Sequence, residues 1–139
     1  MRTAIFRAKF DQLDDIREFV ARAAQDAGLD DPSVYSIELC TDEACTNIIE
    51  HAYRGQENGE IECTCDSNDE KLVIIIRDHG KPFDPSNVAV PDLDADLEDR
   101  PVGGLGVFLM KKLMDEVRFE QLGESGNVLT MVKRRRPAK

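Results

Sequence analysis

The stretch from Lys71 to Asp78, KLVIIIRD, constrains this chain more than any other. Val73, Ile74, Ile75 and Ile76 follow one another directly, so a strand built from them shows apolar side chains on both faces. Such a strand belongs at the centre of a sheet, not at its edge. It runs straight into DHGKPFDP, residues 78 to 85, where an acid, a histidine and a glycine precede two prolines. Gly and Pro after a strand are ordinary turn chemistry, and these residues alone leave a plain β-turn open.

The rest of the chain supplies partners for that strand. RTAIFRAK near the start alternates well enough for an opening strand. Between Asp11 and Leu29, Leu13, Ile16, Phe19, Val20 and Ala23 recur at helical intervals, which predicts an amphipathic helix. A second helix starts at the Asp and Pro of DDPSVYSIEL and runs to Tyr53, before Gly55. EIECTCDS and KLVIIIRD flank the polar NDE as a hairpin. GGLGVFLMKKLMDEV restarts a helix with Leu105, Phe108, Leu109 and Leu113 as its stripe, and VRFEQL and NVLTMVKR close the chain as a second hairpin around GESGN. The order β-α-α-β-β-loop-α-β-β predicts a mostly antiparallel sheet with helices on one face, in one domain over residues 1–139.

With a net charge of −10, the chain carries no surface suited to nucleic acid, and a basic or polar protein is the expected partner. Its basic run, KRRRPAK at 133 to 139, reads as a solvated tail. No stretch approaches the length of a membrane span and no apolar signal core opens the chain, so the expected location is the cytoplasm. Cys40, Cys45, Cys63 and Cys65 sit in apolar patterns without zinc-site spacing, as buried free thiols do.

Three short segments could carry chemistry. Glu43 and Asn47, four apart on the second helix, stack a carboxylate and a carboxamide on one face. A carboxylate can orient or deprotonate a hydroxyl, and an amide oxygen suits Mg²⁺, although a solvated helix face has the same composition. Asp78 can accept from an amino group while Gly80 lets a flat ring approach the backbone, demands that adenine meets. Gly103, Gly104, Leu105 and Gly106 open a helix whose free N–H groups attract phosphate, though such an entry also serves as a hinge. Arg100 is placed either to reach a terminal phosphate or to remain a solvated loop residue. Between the second and third segments, Pro82, Pro85, Pro91 and Pro101 and the acidic DLDADLEDR predict a long loop, functional or mobile.

In their order, the Glu-x-x-x-Asn, Asp-x-Gly and Gly-x-Gly segments resemble the ATP-binding domain shared by histidine kinases, type II topoisomerases and heat-shock chaperone ATPases. NIIEHAY, DHGKPFDP and RPVGGLGVFLMKKLMDEV are similar to the small bacterial anti-sigma factor serine kinases, from about Arg2 to Arg134. The resemblance implies a two-layer α/β sandwich with a mixed, mostly antiparallel sheet, the histidine-kinase-like ATPase fold, holding ATP and Mg²⁺. It implies Glu43 as general base, Asn47 as Mg²⁺ ligand, Asp78 as adenine anchor with Gly80 beside it, and Gly104 and Gly106 in the phosphate-binding turn. Thr130 then brings a hydroxyl near the adenine pocket, and residues 85 to 103 form a lid. The implied activity is phosphorylation of a serine or threonine on an anti-sigma factor antagonist, with a sigma factor or other regulatory protein as competing partner. A homodimer is compatible with this. His51 and His79 match no phosphoacceptor pattern. Two other readings use the same motifs: a nucleotide-binding partner switch without phosphotransfer, and the ATPase fragment of a histidine kinase.

Overall fold

The computed structural model describes residues 1–54, 58–82 and 104–135, with the backbone alone at Gly104 and Leu105. β1 (Arg2–Arg7) leads through a 3₁₀ turn (Phe10–Gln12) into α1 (Leu13–Asp26) and α2 (Asp31–Asn47). A π-helical turn (Ile48–Ala52) continues α2, followed by β2 (Glu60–Ser67) and β3 (Lys71–Asp78). α3 (Gly104–Leu113), β4 (Glu116–Gln121) and β5 (Asn127–Arg134) complete the order. The sheet runs β1-β2-β3-β5-β4, and among the described residues every pairing in it is antiparallel, in place of the mixed, mostly antiparallel sheet expected. β3 lies at its centre, where the apolar run requires it.

Local chemistry explains most of the element ends. Asp30 caps α2 by accepting from the Ser33 N–H at 2.9 Å, with Pro32 in the first turn. The β2–β3 hairpin closes on Asn68, whose Oδ1 accepts from the N–H groups of Glu70 and Lys71. On one sheet face Ile61, Cys63, Ile74, Ile76 and Met131 pack against Ile16 and Val20 of α1 and Ile37 and Cys40 of α2. Burying this face is the main source of stability. All four cysteines are buried, and burial pushes the thiol of Cys40 up to about 11 and that of Cys45 up to about 12.

Two expectations change. Among the described side chains of α3 the buried apolar ones are Val107 and Met110, continued by Met114, while Phe108 and Leu109 are only half-buried. Phe108 instead lies under the Lys112 ammonium, 5.8 Å from its ring centre. Nor is the basic run at the end a solvated tail throughout. Lys133 is buried on the core face of β5 and donates to the Leu113 carbonyl at 2.7 Å, satisfying the C-terminus of α3. The backbone N–H of Arg135 donates to the Glu70 carbonyl at 2.7 Å.

Tyr53, just past the π turn, ties the helical layer to the sheet. Its hydroxyl donates to the Glu60 carbonyl at 2.7 Å and accepts from the His79 N–H at 2.8 Å. Gly59 makes room for it, since a Cβ there would stand 2.6 Å from the ring. Tyr53→Phe strands both backbone groups. It is expected to lower the free energy of unfolding by about 1–3 kcal/mol, read from the urea midpoint at constant slope; an unchanged midpoint would mean that Tyr53 merely fills space.

Candidate functional site

A cavity of about 330 Å³ opens between the end of α2, its π turn, Met110 of α3 and the ends of β3, β4 and β5. Ala44, Ile76, Met110, Phe119 and Leu129 give it an apolar floor suited to a flat ring system. Asn47, His51, Asp78 and Asn127 bring polar atoms to it, and Arg54 and Lys81 bring positive charge.

At the sheet end, Asp78 is the last residue of β3 and stands opposite Asn127, the first of β5. Its side chain is buried, and Oδ1 accepts from the Gly80 N–H at 2.9 Å and from Asn127 Nδ2 at 3.0 Å. Asn127 Nδ2 also donates to the Gly80 carbonyl at 3.0 Å. Both partners of that nitrogen are acceptors, which fixes the orientation of the amide. Gly80 answers to a different neighbour than a ligand. A Cβ there would stand 2.6 Å from the carbonyl carbon and oxygen of Ala52, so glycine is required where the turn meets the π turn. Lys81 N–H donates to the same Ala52 carbonyl at 2.7 Å. Gly126, at φ +90, completes the corner, with a Cβ there only 2.4 Å from the Asp78 carbonyl.

At the helix end, Glu43 and Asn47 share one face of α2, as their spacing demands. Gly106, in the first turns of α3, faces both: a Cβ there would lie 3.0 Å from Glu43 Oε2 and 3.3 Å from Asn47 Nδ2. Directly after Asn47 the α-helix gives way to the π turn, with Tyr53 N–H donating to Ile48 O at 3.0 Å, five residues back. The continuous α-helix expected to Tyr53 therefore stops at Asn47. The wider turn brings His51 and Ala52 to the cavity wall, a common use of π turns at functional sites. Burial, then the nearby charges of Asp42 and Glu50, holds the Glu43 carboxyl above its ordinary range.

The structure thus brings Glu43, Asn47 and Gly106 together at one end and Asp78 with Gly80 at the other, Asn47 and Asp78 lining one cavity. Thr130 does not join them. It pairs with Ile75 and Arg118, and strand alternation turns this row away from the face of Ile76, Leu129 and the cavity. The polar side chain that β5 does bring to Asp78 is Asn127, which motif reading missed. Only the antiparallel register of β3 and β5 reveals it, by setting the start of one strand against the end of the other. Arg100, Gly103 and the 85–103 loop lie outside the described residues, as does the side chain of Leu105. Gly104 begins α3. His51 lines the cavity, whereas His79 contributes its backbone N–H to Tyr53.

The sequence model of the family described as "Histidine kinase-like ATPase domain" matches residues 6–133. Among curated proteins, the chain is 30% identical over 130 residues to the serine-protein kinase RsbW of Bacillus licheniformis, covering 91% of this chain and 80% of that protein. It is 33% identical over 100 residues to that of Listeria monocytogenes, covering 69% of this chain and 64% of that one. Among solved structures, the RsbU and RsbW domains of a Mycobacterium tuberculosis protein match with a TM-score of 0.65 at 16% identity, over 100% of this chain and 34% of that one. The histidine kinase domain of a blue-light activated kinase from Erythrobacter litoralis matches at 0.52 and 15% identity, over 87% of this chain and 59% of that one. These two likenesses concern the fold.

The raised Glu43 carboxyl has a measurable sign. Below the ordinary glutamate range, about pH 4.3, the group is protonated folded and unfolded alike. As pH rises from there, the unfolded chain loses this proton first, so stability falls until the folded group has ionised too. Glu43→Gln removes that penalty. The variant is expected to melt above the wild type at pH 7, with the gap closing as pH is lowered into the carboxylate range; a variant less stable than wild type at pH 7 would contradict this.

Proposed function

Because the chain belongs to the histidine kinase-like ATPase domain family, we propose that it binds ATP with Mg²⁺ in this cavity and transfers the terminal phosphoryl group to a serine or threonine of a protein partner. The observation that carries the proposal is the convergence of Glu43 and Gly106 on Asn47, which lines the same cavity as Asp78. A base reader thus shares one cavity with the amide that stands beside a carboxylate and a glycine-opened helix. The relatives' name, serine-protein kinase, supports the hydroxyl acceptor. Their likeness, together with the resemblance of the motifs, supports an anti-sigma factor antagonist as the substrate and a sigma factor as the competing partner.

Each residue then has a task. Asp78 accepts from the exocyclic amine of adenine, and the apolar floor covers the ring faces. Gly106 leaves open the space beside Glu43 and Asn47 that any side chain would fill, as a phosphate-binding helix entry requires. The donor chemistry at this end fits magnesium: Asn47 offers a hard oxygen, and among the described residues no cluster of three or more acidic, cysteine or histidine side chains could hold a metal without the nucleotide. When bound, the ion neutralises phosphate charge. Glu43, with its carboxyl held above the usual range, is suited to orient the acceptor hydroxyl and take its proton. Little covalent work remains for the protein, since phosphoryl transfer is dominated by positioning and charge.

Asp78→Asn turns a donor towards the adenine amine and is expected to weaken ADP binding by about ten- to a hundredfold, measured by calorimetry; wild-type affinity would take Asp78 out of the site. Glu43→Gln should bind ATP nearly as well as the wild type, yet slow single-turnover transfer of labelled phosphate to the antagonist by about 10²- to 10⁴-fold. Tight ATP binding with no transfer by the wild type would make the protein a nucleotide-dependent switch without kinase activity.

A further inference from the structure

The three hydrogen bonds around Asp78 do more than hold a carboxylate in place. A carboxylate oxygen has two lone-pair sites, and on Oδ1 both are taken, one by the Gly80 N–H at 2.9 Å and the other by Asn127 Nδ2 at 3.0 Å. Nδ2 spends its second hydrogen on the Gly80 carbonyl at 3.0 Å, so Asn127 cannot swing away without stranding that group as well. Among the described residues Oδ2 carries no such donor, so it is the oxygen left for a base entering the cavity. Guanine offers two parallel donors, N1–H and its 2-amino group, and a carboxylate grips both only with both oxygens free. Adenine offers its single amino donor beside an acceptor.

We infer that Asn127 is the residue that determines which purine this pocket accepts, by occupying Asp78 Oδ1 and so denying guanine the two-oxygen grip. The inference rests on the nucleotide-binding reading above and adds to it a positioning residue outside the three motifs. Asn127 acts on the base through Asp78. Its removal would leave Oδ1 one donor short, and the second guanine contact would become available.

The test compares ADP, GDP and IDP as competitors of a fluorescent ADP, with Mg²⁺ present. Inosine carries the N1–H of guanine but lacks the 2-amino group, so the GDP-to-IDP ratio reads the two-oxygen grip and nothing else. In the wild type, GDP and IDP should compete equally poorly or not at all, far below ADP. In Asn127→Val, GDP should bind about tenfold tighter than IDP, the order of discrimination expected of a bidentate contact. Asn127→Thr, whose hydroxyl can still donate to Oδ1, should return the ratio to the wild-type value. A wild type that already favours GDP over IDP tenfold overturns the inference, and this arm decides even if Asn127→Val fails to fold. So does a folded Asn127→Val with an unchanged ratio, or a threonine variant that behaves like valine. Loss of the inference alone would leave wild-type ADP binding intact. Failure of the wild type to bind ADP would overturn the nucleotide reading and this inference together.

Discussion

The cavity depends on the contact between Gly80 and the carbonyl of Ala52, where a Cβ would have only 2.6 Å of room. At that point the turn leaving the central strand lies against the last turn of the helical layer, and Lys81 N–H closes the joint on the same carbonyl. Tyr53 repeats the tie one residue later, bridging the Glu60 carbonyl and the His79 N–H. Two layers that meet mostly through apolar packing are fastened by directed bonds here, as they are again where Lys133 of β5 reaches the Leu113 carbonyl of α3. Directed bonds fix a separation more closely than packing does, and the proposed binding of a base in this pocket calls for a fixed separation.

The π turn supplies the geometry of that joint. An α-helix carried on to Tyr53 would present the residues after Asn47 in a different rotation, and Ala52 O would not face the turn. The extra residue in the ring closed by Tyr53 N–H and Ile48 O lets one segment serve both ends of the site. Asn47 stays on the face shared with Glu43, while His51 and Ala52 reach the cavity wall. At the same end the protein tolerates an unfavourable charge. Glu43 is half-buried with Asp42 and Glu50 near, which disfavours its ionised form and raises its basicity. Such a carboxyl suits the base role proposed for Glu43 better than a fully solvated one does.

Much of this architecture was legible because periodicity reports burial directly. The doubly apolar run at 73–76 could only be central, and β3 is third of five strands. Helix α1 buries Ile16, Val20 and Ala23 of the five residues its spacing singled out, and packs Leu13 and Phe19 partly buried against the core. Glu43, Asn47 and Asp78 were legible for another reason, since each lies in a short segment whose spacing within one element decides where its side chain goes. Less legible were α3, where the apolar residues occur almost all round and the buried face depends on how the helix is set against α2, and Lys133, which looks like tail but caps a helix.

What the sequence determined by itself, then, is everything carried by local periodicity: the elements, their order, the central strand, and the motif residues within one helix and at one strand end. Only the tertiary structure decided which side chain of the last strand meets Asp78. Thr130 and Asn127 lie three residues apart in one strand, so they face opposite sides of the sheet, and nothing local says which side is the cavity. The register does, by pairing Asp78 with Asn127 across strands nearly fifty residues apart in the chain. The same holds for Gly80: its residue type suggested close approach, but the backbone that approaches belongs to Ala52, brought there by packing of the helical layer on the sheet. Contacts of this kind are set by how layers dock, and docking is a property of the whole core, not of any segment of the chain.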